Sequence, residues 1–291
     1  MKQLELGMYG LSRSTEESVG YDLIEKTTAR EVLREAWFGG IRFVDTAPGY
    51  GNGVADELIR DTRAEGFGFG VCSKIGLDVK RNEFKCNLPD IFADVDKIVE
   101  RHDGYVSRVL IHSPPKAFIC DHVSCSKIIM YVRRVFGDDV TVGIALRSPN
   151  DLTHCNWAKE ERDFVFQSNF SWLDTRIKKI ALDLGVRVIA RSIYGSGILE
   201  GLYNEIHGRE PRMSFSHSDI RHSWDIQEIL QKASREVSRF RHECSKDKRA
   251  SLDELVARLI SGEEFLTGAI LGAITVKELR STLEAFMSYT R

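Results

Sequence analysis

The chain has 291 residues, 42% hydrophobic and 29% charged, with a formal net charge of −2. This is the composition of an ordinary globular protein, and dispersed Lys and Arg argue against nucleic acid or a membrane surface as the main partner. Without a bilayer-length apolar run or a signal-peptide pattern, and with scattered cysteines that we expect to be reduced, we predict a cytoplasmic protein.

Short β-branched runs alternate with amphipathic stretches along the chain. The runs predict eight strands, at 4–8, 41–45, 67–74, 105–112, 140–145, 164–167, 186–191 and 269–272. The amphipathic stretches predict helices near 28–38, 54–64, 91–99, 125–136, 173–184, 224–241 and 251–261, and a last helix that begins at 275. A long segment rich in Gly, His and Arg, 192–222, follows the seventh strand.

Capping signals mark three predicted helix starts, two of them as capping boxes and one as an N-cap serine followed by proline. They are Thr28 with Glu31, Ser251 with Glu254, and Ser148 with Pro149. In each case a side chain is expected to accept a hydrogen bond from a backbone N–H of the first turn, which would define where the helix begins.

The alternation of strands and helices indicates parallel strands joined by crossover helices. Eight such units in 291 residues fit a closed (β/α)8 TIM barrel, for which about 250 residues are typical. An open doubly wound sheet would require a glycine-rich dinucleotide turn after the first strand, and residues 7–11 lack that spacing. We therefore predict a single α/β barrel domain over residues 1–291.

Polar side chains end three neighbouring predicted strands. Asp45 ends the second strand, with Tyr50 in the Gly- and Pro-rich loop beyond it. Lys74 ends the third strand and His112 the fourth. Each residue alone is explained as a turn or strand-end residue. The C-terminal strand ends of a (β/α)8 barrel, however, carry its catalytic groups, so the recurrence predicts an active site at this rim.

These four residue types suit proton donation to a carbonyl oxygen. The phenol of Tyr50 has a free pKa of about 10, and a nearby Lys74 ammonium favours the phenolate and lowers that pKa. Asp45 would keep the lysine charged, and His112 would orient or polarise the carbonyl. No activated Ser or Cys nucleophile and no carboxylate pair is evident, so a hydride from a cofactor would complete the reaction.

Six segments make the sequence resemble the aldo-keto reductase family. In the family's order they are GIRFVDTAPGYGNGVADEL (40–58), CSKIG (72–76), VLIHSPP (109–115), VFQSNF (165–170), GVRVIARSIYGSGILEG (185–201) and GAITVKEL (272–279). The resemblance implies an NAD(P)(H)-dependent enzyme that interconverts a carbonyl (aldehyde, ketone or sugar) and an alcohol. It implies that Tyr50 is the general acid/base, that Lys74 and Asp45 tune it, and that His112 orients the substrate.

The resemblance also implies a cofactor site at the ends of the later strands. Gln167 matches the glutamine that contacts the nicotinamide carboxamide, and Arg191 replaces the aromatic that often stacks on the ring, where a guanidinium plane can also stack. The loop matched to the pyrophosphate comprises Ser192, Ile193, Tyr194, Gly195 and Ser196. Ala145 and Leu146 stand where the family has a Ser-Asn pair, whose hydrogen bonds they cannot supply.

The adenosine end of the cofactor site departs most from the family. Many members carry basic residues that bind the 2′-phosphate in the segment that matches Gly272, Ile274 and Thr275, and another near the position of Glu278. A carboxylate at that position repels phosphate but accepts hydrogen bonds from ribose hydroxyls. The family favours NADP(H), whereas Glu278 favours NAD(H), and the sequence leaves the choice open.

Loops after the first, second, fourth and seventh strands are expected to form the pocket for a small carbonyl or alcohol substrate. The candidate residues are Tyr9, Trp172, Tyr203, His207, Arg209, Arg212 and Trp224. The segment 203–224 is long for a structureless loop, which suggests a lid or binding loop. Its His and Arg content suggests an anionic or polyhydroxylated ligand, although a solvated loop explains it equally well.

Two other functions are weighed against an oxidoreductase. A redox-silent regulatory subunit that binds the cofactor would account for Ala145 and Leu146, but the intact Asp, Tyr, Lys and His set weighs against it. A metal-assisted lyase or isomerase would use Cys120, His122 and Cys125. The paired cysteine spacing of zinc knuckles is missing there, so we expect no metal site.

Overall fold

Parallel strands close into a barrel in the computed structural model, which describes residues 2–14, 21–78, 81–102, 104–211, 215–217 and 219–289. The strands are β1 (Gln3–Gly7), β2 (Phe43–Asp45), β3 (Gly70–Ile75), β4 (Leu77–Asp78), β5 (Glu83–Phe84), β6 (Val106–His112), β7 (Thr141–Ala145), β8 (Phe164–Asn169), β9 (Val188–Arg191) and β10 (Leu266–Leu271). Eight of them pair in the closed order β1-β2-β3-β6-β7-β8-β9-β10, while β4 and β5 form a separate antiparallel pair. The predicted (β/α)8 barrel is confirmed.

Helices surround the barrel. They are α1 (Lys26–Phe38), α2 (Val54–Ala64), α3 (Leu88–His102), α4 (Lys116–Ile119), α5 (His122–Phe136), α6 (Arg176–Leu184), α7 (Ile198–Ile206), α8 (Ile226–Lys232), α9 (Ser234–Lys246), α10 (Leu252–Ser261) and α11 (Val276–Ser288). Each of the longer helices buries one apolar stripe, as the helical periodicity predicts. Within the described part of the chain, no helix combines the length and the apolar character that a membrane crossing requires.

Two of the three capping predictions are confirmed. Ser251 and Glu254 form a full capping box at the start of α10. Ser148 caps the turn that begins at Pro149, but this turn is a 3-10 helix, Pro149–His154, and not an α-helix. The prediction for Thr28 is wrong, because α1 begins two residues earlier, after Glu25, with no side-chain cap. A Thr-x-x-Glu pattern therefore does not define the start of a helix when the residues before it can also be helical.

The segment after β9 is more helical than predicted. Helix α7 lies inside the segment 192–222, in which no helix was predicted, and its apolar residues Ile198, Leu199 and Leu202 are buried. The predicted helix at 224–241 is two helices, α8 and α9, which meet at Ala233. The sequence signal for α7 is its apolar stripe, but the glycines around it are more typical of a loop.

Alternation along the strands determines which side chains enter the barrel. Every second residue of a barrel strand points inward. One inward layer is apolar and is formed by Cys72, Leu110, Ala145, Val165, Ile189 and Ile270. The register pairs Asp45 with Cys72, and Lys74 lies two residues further along the same strand. Polar side chains from β2, β3, β6, β8 and β9 therefore gather at the C-terminal mouth of the barrel.

Candidate active site

The loop after β2 directs Tyr50 into the barrel mouth. Tyr50 begins a 3-10 turn, Tyr50–Gly53, in which Gly51 has a φ of 58°. A Cβ atom on Gly51 would lie only 2.0 Å from the carbonyl oxygen of Ser12, so the two loops touch through their backbones. Only glycine tolerates both the left-handed conformation and this approach. The glycine-rich sequence thus fixes the position of the phenol.

A buried lysine joins the carboxylate to the phenol. The Nζ atom of Lys74 lies 2.6 Å from Asp45 Oδ1, 2.9 Å from the carbonyl oxygen of Thr46 and 3.5 Å from the Tyr50 hydroxyl. Lys74 is 1% exposed and Asp45 5% exposed. The other oxygen of Asp45 accepts a hydrogen bond of 2.7 Å from Gln167 Nε2. Both oxygens of the carboxylate are therefore held, and the ammonium is aimed at the phenol.

Burial determines the sign of the Tyr50 pKa shift. It raises the pKa of Tyr50 above its usual value, and the attraction of Lys74 opposes that rise. Lys74 lowers this pKa as predicted, but the net shift is upward, because desolvation outweighs a cation 3.5 Å away. Burial also works against the charge of Lys74, but Asp45 and Tyr50 outweigh it and the pKa of Lys74 is raised. At neutral pH the structure therefore presents a protonated phenol beside an ammonium.

His112 reaches the same mouth from β6. Its ring centroid lies 6.3 Å from that of Tyr50, whose other side packs against the ring of Tyr9 at 5.0 Å. Burial, followed by the positive charges of Lys74 and Arg191, lowers the pKa of His112 well below its usual value of 6.5. The imidazole is neutral at physiological pH, so it can donate one hydrogen bond without carrying a charge.

The depressed His112 pKa predicts an acid-sensitive stability. The folded state resists protonating this histidine, so its stabilising contribution is complete above 6.5 and is lost as pH falls below that value. The loss is limited to about 1.4 kcal/mol per pH unit. Urea unfolding between pH 7.5 and 5 should show a shallower decline for His112→Gln than for the wild type. The same substitution at the exposed His242 should leave the slope unchanged; equal slopes for the wild type and His112→Gln would contradict the assignment.

Arg191 lies across the ends of β7, β8 and β9. Its Nε atom donates to Asn169 Oδ1 at 2.9 Å, and its Nη2 atom donates to the carbonyl oxygen of Leu146 at 2.6 Å. Sequence reasoning missed Asn169, although it follows Gln167 by two residues and therefore shares its inward face. The side chains of Ala145 and Leu146 are fully buried and apolar, so the polar groups at this end of the mouth are those of Asn169 and Arg191.

The loop predicted to bind the pyrophosphate passes through several left-handed residues before it enters α7. Ser192, Gly195 and Ser196 have φ values of 54°, 57° and 55°, and Gly197 precedes the first turn of α7 with a φ of 90°. The backbone N–H groups of Gly195 and Gly197 donate to the carbonyl oxygens of Ser192 and Tyr194, which fixes the turn. The start of α7 follows it, and a helix start favours an anion. The side chain of buried Ile193 packs in the core.

Two side chains anchor this loop. The Tyr194 hydroxyl donates to Asp253 Oδ1 and lies 3.0 Å from Thr282 Oγ1, which ties the loop to α10 and α11. From the other side, Arg221 donates to the carbonyl oxygen of Ser196 at 3.0 Å. Tyr194 thus has an anchoring position that the sequence did not reveal.

The start of α11 uses Glu278 as a cap. Its Oε2 atom accepts hydrogen bonds from the backbone N–H groups of Ile274 at 2.9 Å and Thr275 at 3.3 Å, while Thr275 caps Glu278 in return. Gly272 lies just before this turn, directly after β10. The carboxylate of Glu278 therefore accepts the backbone N–H groups that a phosphate at this helix start would otherwise accept.

Not all of the predicted pocket residues lie at the mouth of the barrel. Tyr9 lies at the mouth, whereas the side chains of Trp172 and Tyr203 donate to the carbonyl oxygens of Leu255 and Ala250, away from Tyr50. The remaining candidates lie elsewhere. His207 bonds the backbone of Tyr203, Arg209 is exposed just beyond α7, Trp224 borders a groove of about 560 Å³ beside the Ser192–Ser196 loop, and Arg212 lies outside the described residues.

The cysteine and histidine cluster is not gathered into a ligand set. Among the residues that the structure describes, the metal-ligating side chains that meet within 4.8 Å are those of Glu5, Asp45 and Cys72. These three lie inside the barrel among basic side chains. Cys120, His122 and Cys125 do not converge in this way.

Comparison with known proteins relates the whole chain to one family. The model described as "Aldo/keto reductase family" matches residues 4–290. The glycerol dehydrogenase AKR11B4 from Gluconobacter oxydans is 18% identical with a TM-score of 0.73, over 98% of this chain and 86% of that chain. The holo form of the aldo-keto reductase AKR11C1 from Bacillus halodurans is 18% identical with a TM-score of 0.66, over 97% and 86%. None of the curated proteins matches the chain in sequence.

Proposed function

The chain belongs to the aldo/keto reductase family, and we propose that it is an NAD(P)(H)-dependent oxidoreductase in which Tyr50 is the general acid/base. One observation carries the assignment of the residues. A single buried ammonium, Lys74, contacts both the Asp45 carboxylate and the Tyr50 hydroxyl, with His112 at the same mouth. This arrangement suits proton transfer to an oxygen on which negative charge develops.

The proposed reaction follows from the charges at the mouth. Tyr50 is a protonated phenol at neutral pH and gives its proton to the carbonyl oxygen during reduction. Lys74 then stabilises the phenolate that remains, since Asp45 keeps this lysine charged and in place. Neutral His112 donates a hydrogen bond that orients the substrate oxygen. In alcohol oxidation the phenolate takes the proton back.

The residues present fit a nicotinamide nucleotide. Residues 192–197 lead into the start of α7, which would suit the pyrophosphate, and Asn169 and Arg191 offer polar groups to the nicotinamide end, where the side chains of Ala145 and Leu146 offer none. Gln167 would contribute its amide from the same side, although it also supports Asp45. When bound, the nicotinamide supplies or accepts the hydride.

A screen with both cofactors tests the proposal. The purified protein is mixed with NADH or NADPH and a panel of aldehydes, ketones and sugars, and with NAD+ or NADP+ and alcohols, with cofactor absorbance as the readout. Glycerol belongs in the panel, because the similar AKR11B4 is a glycerol dehydrogenase. Consumption of cofactor with at least one substrate is expected. Tight cofactor binding without turnover on any substrate would favour a redox-silent regulatory subunit.

Glu278 is expected to bias the protein toward NAD(H). Replacing it by arginine should raise the preference for NADPH over NADH about tenfold, which corresponds to about 1.4 kcal/mol. Glu278→Gln is the matched control, since glutamine retains the capping role and removes only the charge; it should move the ratio in the same direction by less. The ratio of the two Kd values checks this. An unchanged ratio in both variants would place the adenosine ribose elsewhere.

A further inference from the structure

A second buried ion pair lies inside the barrel and has no part in the reaction described above. Glu5 of β1 and Arg108 of β6 both point inward, and Arg108 Nη1 donates to Glu5 Oε1 at 2.6 Å. Glu5 is 0% exposed and Arg108 8% exposed. Gln3, half-buried at the start of β1, donates to the same Glu5 oxygen at 3.2 Å. The pair therefore joins strands far apart in the sequence.

The carboxylate of Glu5 lies next to that of Asp45. Oxygen atoms of the two carboxylates and the sulfur of Cys72 lie within 4.8 Å of one another. The second oxygen of Glu5, Oε2, is buried and has no hydrogen-bond partner. A buried charge acts strongly on its neighbours, because the surroundings have a low dielectric constant. One of these neighbours, Asp45, is the partner of Lys74.

Arg108 favours the charged form of Glu5. Burial raises the pKa of Glu5, and nearby Asp45 adds to that rise, while Arg108 and Lys74 act against it. A guanidinium stays protonated in proteins, so a neutral Glu5 would leave a buried Arg108 without a counter-charge. The inward charges then lie in the order Lys74, Asp45, Glu5 and Arg108, with the two anions between the two cations.

We propose that Glu5, held by Arg108, is a positioning residue of the active site, whose negative charge keeps Lys74 and Tyr50 protonated and thereby sets the pH at which carbonyl reduction gives way to alcohol oxidation. This inference rests on the proposed function, because it takes Tyr50 as the proton donor. Glu5 acts through Asp45 and Lys74 and does not touch the substrate.

The groups that face Glu5 and Tyr50 determine how strongly the charge of one residue acts on the other. Facing Glu5 are Gln3, Asp45, Cys72, Lys74 and Arg108. Facing Tyr50 are Tyr9, Asp45, Lys74, His112 and Arg191. Asp45 and Lys74 belong to both sets and connect them. Removing one of these buried negative charges is expected to lower the pKa of the Tyr50 phenol by about one unit.

The test compares Glu5→Gln with the double variant Glu5→Gln/Arg108→Met. In the single variant the barrel gains one net positive charge, so the alkaline fall of kcat/KM for reduction should move about one pH unit lower. The double variant restores the charge balance and should return most of the way to the wild-type profile. A purely structural role predicts the opposite order, because the double variant loses more contacts. An unmoved profile in Glu5→Gln, or an equal shift in the double variant, overturns the inference.

Two further measurements keep the test decisive. If Glu5→Gln fails to fold, Gln3→Lys and Gln3→Glu place opposite charges at the half-buried start of β1; they should move the profile down and up, respectively, by about half a unit. Identical profiles would overturn the inference.

Titration of tyrosinate absorbance, as the difference between each protein and its Tyr50→Phe counterpart, reports the same shift without turnover. The titration therefore tests the coupling between Glu5 and Tyr50 separately from the proposed function: no shift in Glu5→Gln overturns the inference, whereas a shift without turnover on any substrate counts against the proposed function alone.

Discussion

Tyr50→Phe is expected to lower kcat by about 10³-fold while cofactor affinity stays within about twofold. The phenol supplies the proton in the transition state, which contributes a factor of about 10²–10⁴ to the rate. In the proposed mechanism no other acid at the mouth replaces it. The ring itself is retained, so its packing against Tyr9 should persist. Steady-state kinetics with the best substrate of the screen, together with a cofactor Kd, measures both quantities.

The matched control for this change is Tyr131→Phe. Tyr131 lies on α5 and bonds Asp96 at the protein surface, so loss of its hydroxyl should leave turnover unchanged. A Tyr50→Phe protein that keeps a substantial fraction of wild-type kcat would show that another group delivers the proton. In that case the contact between Lys74 and Tyr50 would have only a structural role.

Lys74→Met should destabilise the protein and abolish turnover together. Removing one partner of a buried ion pair leaves an uncompensated charge, which costs about 3–5 kcal/mol. Asp45 would retain only its hydrogen bond from Gln167. Urea unfolding at pH 7.5 measures the loss of unfolding free energy, and kcat measures the loss of function.

A second substitution separates the two effects. Lys74→Met/Asp45→Asn removes the stranded charge, so most of the lost unfolding free energy should return while kcat stays at the level of the single variant. Equal stability of Lys74→Met and the wild type would contradict the buried pair. Recovery of kcat in the double variant would contradict the role of the ammonium.

The barrel could be predicted from the sequence because its signals are local. Alternating short apolar runs and amphipathic stretches define parallel units, and a barrel places the C-terminal ends of its strands on one rim. The gathering of Asp45, Tyr50, Lys74 and His112 follows from that rule alone. The structure places all four at the mouth, whereas their catalytic roles are tested only by the variants described above.

Other features depend on register and depth, which local patterns do not encode. The Glu5–Arg108 pair joins residues 103 positions apart, and the Gln167–Asp45 bond joins residues 122 apart. Such contacts become visible only when the stagger of the strands is known. The net rise of the Tyr50 pKa could not be predicted for a related reason, because desolvation depends on how deeply the phenol is buried.

Transfer of a labelled hydride tests the central claim most directly. The protein is incubated with cofactor deuterated at the nicotinamide C4 and a carbonyl substrate, and the product alcohol is analysed by mass spectrometry. Deuterium on the former carbonyl carbon, with almost none from the Tyr50→Phe protein, is the predicted result. Bound cofactor that transfers no label to any substrate, or equal labelling by the wild type and Tyr50→Phe, would contradict it.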